Sequence, residues 1–300
     1  MISKGNKAGL QRALNSLVGL SVGDALGERY FGPPDSVLRR IEGRELPAKS
    51  GWRYTDDTEM ALSVYAMLRE LGEIDQDSLA QLFAVNMQDG RGYGPGAFKI
   101  LWAIQRGEAW PHLSYGAFGG TGSYGNGAAM RVAPLGAYFA DDLERCVQQA
   151  RLQAEVTHTH QEGIDGSIAI AVATALVWRD EESLHSASGF LSALIDLLPA
   201  GKIRDEIVRA SEIPEDVSAM AAASVLGNGS KISAADTVPI CVWIVSRRRG
   251  DYREAFWETV ALLGDRDTTC AIVGGILSVR AEVPTEWVAA REPFPDWLTA

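Results

Sequence analysis

IDGSIAIAVATALVW, residues 164–178, decides the fold class. The stretch is almost wholly apolar with Ala and Gly interspersed, so it reads as a helix buried on all sides. Thr237 to Val245 and Thr269 to Val279 have the same character. Outward from these, Leu10, Leu14, Leu17 and Val18 share one face of a first helix running on toward Gly23. Ala61, Leu62, Val64, Tyr65 and Leu68 do the same after Asp57. Long alternating runs with turn pairs are missing, so a sheet is hard to place. The expectation is an all-α protein of roughly a dozen helices joined by short loops. The segment YGAFGGTGSYGN (115–126) departs from the pattern and reads as a long functional loop. No repeat, low-complexity tail or Gly/Ser linker divides the chain, so 1–300 is read as one domain.

Composition narrows the function. The 300 residues are 46% hydrophobic, 22% charged and 8% aromatic, as in an ordinary globular protein. The formal charge of −11 lacks the basic footprint that phosphate backbones require, so free nucleic acid is not an expected partner. Acidity is compatible with hard cations, although most such charge sits on solvated helix faces. Cys146, Cys241 and Cys270 are widely spaced in apolar patterns and read as small buried hydrophobes rather than a disulfide or thiolate framework. Met1 to Gly9 is polar and Lys-containing, with no apolar run behind it. No stretch reaches the roughly 18 apolar residues of a membrane span, so a cytoplasmic monomer is expected.

Two acidic clusters carry the chemistry. Thr55-Asp56-Asp57-Thr58-Glu59 precedes the apolar helix from Ala61, and Gly264-Asp265-Arg266-Asp267-Thr268-Thr269 precedes that from Cys270. Read singly, each is a helix start: Thr and Asp cap well, and first-turn acids suit the helix dipole. A cap needs one side chain, however, and each cluster supplies two carboxylates and a hydroxyl. Carboxylates gathered at inward-facing helix starts repel one another unless cations share them. Oxygen-only donors select Mg²⁺, Mn²⁺ or Ca²⁺ over zinc, and two clusters suggest two ions.

Three further elements are weaker. In Gly23-Asp24-Ala25-Leu26-Gly27-Glu28, the glycines permit close helix packing and Gly27 could cap a helix, but Asp24 among apolar neighbours needs a buried partner. The runs Asp89 to Gly96, with Gly94, and Gly119 to Gly127, with Gly122, offer backbone N–H groups that could approach a pyrophosphate; neither matches a Walker A pattern. His158 and His160, two apart, do not share a helical face; one could contact substrate, or each could be a satisfied loop histidine.

These motifs together resemble a known family. GLSVGDALGE (19–28), YTDDTEMAL (54–62), GNGAAMRVAPLG (125–136), THTHQEGIDGSIAIAVA (157–173) and GDRDTTCAIVGGIL (264–277) are similar to the ADP-ribosylglycohydrolases, which include the dinitrogenase reductase-activating glycohydrolase and the ADP-ribosylarginine hydrolases. The resemblance covers about residues 10 to 280. It implies a single all-helical domain with two Mg²⁺ or Mn²⁺ ions in a cleft. By the same resemblance the ligands are Thr55, Asp56, Asp57, Asp265, Asp267 and Thr268, and ADP-ribose is held by loops around Asp89, Tyr93, Asn126 and Gly127. Asp89 resembles an acid acting on the ribose. Two positions depart from the pattern. Arg266 stands where a Thr is usual and is expected to point outward. Phe31 stands where many members carry a Glu, leaving Glu28 as a substitute.

The implied reaction is metal-assisted hydrolysis at the anomeric carbon of the distal ribose, with Asp89, Asp267 or Glu28 moving the proton. ADP-ribose would leave a modified protein or small conjugate, arginine being the first acceptor considered. O-linked ADP-ribose on serine or in O-acetyl-ADP-ribose, a two-metal phosphohydrolase, and a non-catalytic ADP-ribose reader are the alternatives.

Overall fold

Asn6 opens the chain's longest helix by accepting hydrogen bonds from the backbone N–H groups of Ala8 and Gly9. In this computed structural model, which describes residues 6–299, the helices are α1 (Lys7–Gly27), α2 (Pro34–Glu42), α3 (Asp56–Leu71), α4 (Gln76–Asn86), α5 (Pro95–Gln105), α6 (Trp110–Gly120), α7 (Ala133–Tyr138), α8 (Leu143–Glu155) and α9 (Gln161–Arg179). They continue as α10 (Ala187–Leu197), α11 (Lys202–Ser211), α12 (Ala219–Leu226), α13 (Ala234–Arg248), α14 (Tyr252–Val260), α15 (Arg266–Leu277), α16 (Thr285–Ala290) and α17 (Asp296–Thr299). Among the described residues there is no strand, as the all-α reading expects. Six of the helices, α2, α7, α12, α14, α16 and α17, have nine residues or fewer, too short to show a periodic apolar stripe. The expectation of about a dozen counted the longer ones. Part of the polar Met1–Gly9 start, residues 1–5, lies outside the described residues.

The helix read from residues 164–178 is α9, buried without a break from Gly163 to Val177. Around it pack α7, α8, α13 and α15, so that one continuous apolar core runs through the protein. All three cysteines are free and buried. No helix of the described residues is long and apolar enough to cross a membrane.

The closest packing joins α1 to α15, and glycine makes it possible. A Cβ on Gly19 would lie 2.5 Å from the Gly274 carbonyl oxygen, one on Gly23 2.1 Å from that of Cys270, and one on Gly27 2.5 Å from that of Arg266. Real side chains do not fit, so the two backbones run antiparallel in direct contact. Gly27 therefore serves packing rather than capping: Glu28 ends α1 in ordinary right-handed geometry. The consequence is positional. Asp24, on the last turn of α1, is brought beside the first turn of α15 and of α3.

The glycine-aromatic segment 115–126 is less irregular than its composition suggests. Helix α6 runs into it as far as Gly120, broken where Phe118 takes a left-handed φ of 52°.

Candidate active site

Asp24 is completely buried and is the anchor of the site. Its carboxylate accepts hydrogen bonds from the backbone N–H and hydroxyl of Thr55 and from the backbone N–H and hydroxyl of Thr58, the last at 2.5 Å. This supplies the buried partners that the sequence required of it. Burial first, with Asp267 adding to it, pushes its pKa up to about 7 against the pull of the threonine hydrogen bonds.

Two helix starts meet here. Thr55 caps α3 by accepting from Asp57 N–H, so the capping reading of that cluster holds for the threonine. Its neighbours have another use. Asp56 and Asp57 are buried, and both are raised well above the carboxylate range by desolvation and then by Asp24, Asp267 and Asp265. At α15 the capping reading fails, because the Asp265 side chain makes no cap bond. It accepts instead from Asn126 Nδ2 at 2.7 Å. Burial and the adjacent Asp267 push Asp265 up to about 7. Carboxylates more than two hundred positions apart in the chain thus share one electrostatic environment.

Their donor set fits divalent cations. Asp57 Oδ1 and Asp267 Oδ1 are buried oxygens without a hydrogen-bond donor. Such atoms are costly unless a cation or a proton occupies them. Among the described residues, no three Asp, Glu, His or Cys side chains stand at metal-ligand spacing. Carboxylates of like charge spread apart unless a shared ion draws them in. Thr55 and Thr268, buried beside these acids, add hydroxyl oxygens. Neither acidic cluster, 55–59 or 264–269, contains a Cys or His, which suits Mg²⁺ or Mn²⁺.

The carboxylates open into a cavity of about 460 Å³, a size suited to a small-molecule ligand. Asp56, Asp57, Asp265, Asp267 and Thr268 line it, together with Gly94, Asn126, Gly127 and His158. Five other sequence candidates do not, among them Thr55, whose hydroxyl lies 2.9 Å from Asp24 Oδ1. Asp89 is exposed on the loop after α4. Tyr93 turns its hydroxyl to Glu59 Oε2, donating at 2.8 Å, where Glu59 also accepts from Gln88 N–H. Gly122 backs onto Thr159, its missing Cβ leaving room for that hydroxyl. Glu28 is partly buried outside the lining, with a pKa raised by burial and then by Asp267.

Arg266 differs from its expected outward course. It is buried, donating to the carbonyls of Tyr30 at 2.8 Å and Leu263 at 3.0 Å, with its guanidinium over the Phe31 ring. It is not among the cavity-lining residues. The two departures from the family pattern therefore pack on one another. Sequence reasoning missed Phe118, Tyr124, Arg131 and Lys231, which also line the cavity. Exposed Phe118 and Tyr124, 6.3 Å apart, sit in the glycine-aromatic segment, whose composition was their only signal.

An all-helical fold with opposed acidic helix starts over an aromatic-lipped cavity defines a class, and comparison with known proteins agrees. The ADP-ribosylglycohydrolase family model matches residues 6–300, so the chain belongs to that family and is a hydrolase of that class. It is 32% identical to an uncharacterized protein of Archaeoglobus fulgidus, over 91% of this chain and 89% of that one. ADP-ribosylhydrolase ARH3 of Danio rerio is 28% identical, covering 94% of this chain and 87% of its own length; that of Homo sapiens is 27% identical, covering 96% and 91%. A solved ADP-ribosylglycohydrolase-related protein complex shares the fold, with a TM-score of 0.65 at 23% identity over 95% of this chain and 94% of that one.

Proposed function

We propose that the protein hydrolyses the bond between the distal ribose of ADP-ribose and an acceptor, assisted by two divalent cations, Mg²⁺ or Mn²⁺. The observation carrying this is the convergence of Asp56, Asp57, Asp265 and Asp267 on a cavity that also offers aromatic rings and glycine backbone. Thr55, Asp56, Asp57, Asp265, Asp267 and Thr268 would hold the cations, whose charge lowers the pKa of water and stabilises developing negative charge. The chain's own residues do the rest. Phe118 and Tyr124 present ring faces on which a nucleobase would stack. Gly94 and Gly127 would offer backbone to the pyrophosphate, while the Asn126 N–H is taken by the Ile232 carbonyl. Glu28, with its raised pKa, is the carboxyl best suited to give a proton to the leaving group.

Arginine is the acceptor taken first, because an acidic cavity attracts a guanidinium. One observation favours an O-linked, neutral acceptor instead: Phe31, with the Arg266 guanidinium over its ring, stands where many members of this family carry a carboxylate. The buried free cysteines fit a reducing cytoplasm, and a monomer suffices for the site. The deciding experiment incubates the enzyme with ADP-ribosylarginine and ADP-ribosylserine peptides and each metal. Release of ADP-ribose supports the reading and ranks the acceptors. Release of AMP indicates a phosphohydrolase, and binding without turnover a reader.

A further inference from the structure

Arg131 is wholly buried, and among the described residues no carboxylate lies within salt-bridge distance of it, Asp56 acting on its charge from farther off. Its Nε donates to Gln153 Oε1, and its Nη2 to the Gln153 carbonyl and, at 2.9 Å, to Thr157 Oγ1. Its guanidinium lies over the Phe83 ring. An unpaired buried cation is costly, so such an arrangement calls for a reason.

The chain of bonds gives one. Arginine only donates, so Thr157 Oγ1 accepts from it. The single hydroxyl proton of Thr157 then has one acceptor within reach, His158 Nδ1 at 2.8 Å. If Nδ1 carried the ring proton, the buried hydroxyl would lose its acceptor. Nδ1 is therefore bare and the proton sits on Nε2. The Arg131 charge, second to burial, acts in the same direction by disfavouring the imidazolium, and His158 is pushed down to about 3. Nε2 itself has no bond to the described residues. It faces the turn Gly125–Gly127, where a Cβ on Gly125 or Gly127 would come within 3.2 Å or 3.1 Å of it. Both glycines and His158 line the cavity.

We propose that Arg131 and Thr157 are positioning residues that lock His158 as a neutral Nε2–H donor aimed at an oxygen of the bound ligand. A neutral donor is fixed in direction and does not alter the charge balance that the carboxylates set with their cations. The assignment rests on the ADP-ribose reading for its ligand, but the lock itself does not.

The test is ¹⁵N NMR of histidine-labelled protein at pH 7, with calorimetric titration of ADP-ribose. The wild type should show His158 protonated at Nε2 alone. Thr157→Val keeps the shape and removes the hydroxyl; it should yield a tautomer mixture and weaken ADP-ribose by about threefold to tenfold, the value of one neutral hydrogen bond. Thr157→Ser should restore both. Arg131→Gln should raise the His158 pKa if it folds, but the threonine variants carry the decision. A wild-type His158 protonated at Nδ1, or an unchanged tautomer in Thr157→Val, overturns the lock. If the wild type binds no ADP-ribose, the proposed function falls while the spectrum still decides the tautomer.

Discussion

Asn126 Nδ2 stands 2.7 Å from Asp265 Oδ2, with a second bond of 3.1 Å to Thr237 Oγ1. One amide thus ties the glycine-rich turn to the start of α15. Removing it should leave Asp265 free to swing. Asn126→Ala is expected to lower turnover roughly 10- to 100-fold, the usual loss when the residue orienting a ligand is removed. Turnover equal to wild type would break the link between turn and acidic cluster.

The orphaned oxygens of Asp57 and Asp267 set the second prediction. Saturating Mn²⁺ or Mg²⁺ should raise the melting temperature of the wild type by linkage, because the ion binds the folded site. Asp57→Ala should gain almost nothing, and Asp267→Asn should lose turnover while keeping its shape. Equal metal-induced shifts in wild type and Asp57→Ala, measured by differential scanning calorimetry, would remove these acids from the ligand set.

Asp24 and Asp265 are raised to about 7 in the folded protein, so below that pH the folded state holds protons that the unfolded state has released. Stability of the metal-free protein should therefore fall as pH rises from about 4 through about 7. Bound cations replace those protons, so the slope should flatten in Mn²⁺. Urea denaturation across this range reads it directly, and a metal-free protein that gains stability toward pH 7 contradicts the arrangement.

Glu28 and Asp89 offer a direct contest. Both carboxyls lie outside the cavity lining, but Glu28 is partly buried with Asp267 acting on it, whereas Asp89 is exposed. Glu28→Gln should cut kcat by roughly 10²–10⁴-fold without weakening Mn²⁺ binding. Asp89→Asn should cost far less. The reverse ranking would mean that the 88–94 loop closes onto the ligand.

Much of this arrangement was legible from residue order. The apolar run 164–178 gave α9, and the paired acids gave the two helix starts, because burial and charge repulsion act on local composition. Three things were not. Asp265 looks like a cap in sequence; only the fold reveals that Asn126, 139 positions away, takes its side chain. Arg266 reads as a surface residue until Phe31 and the Tyr30 carbonyl are seen beside it. Tyr93 and Asp89 sit one and five positions from Gly94, yet the loop turns the first inward to Glu59 and leaves the second in solvent. Side-chain direction in a glycine-rich loop depends on distant partners, which local pattern does not encode.

The contact of α1 with α15 through Gly19, Gly23 and Gly27 has an evolutionary reach. With bare backbone on backbone, that seam tolerates almost no lateral drift, and Asp24 transmits its position to both acidic helix starts. Gly23→Ala, forced within 2.1 Å of the Cys270 carbonyl, should cost roughly 1–3 kcal/mol of stability, read as a lowered melting temperature. Gly94, Phe118, Tyr124 and Lys231 at the cavity rim lie outside this seam. Substitution there leaves the frame of acidic helix starts in register. Such a molecule can exchange one acceptor for another over generations by redrafting its rim, while the part that cleaves stays as it was.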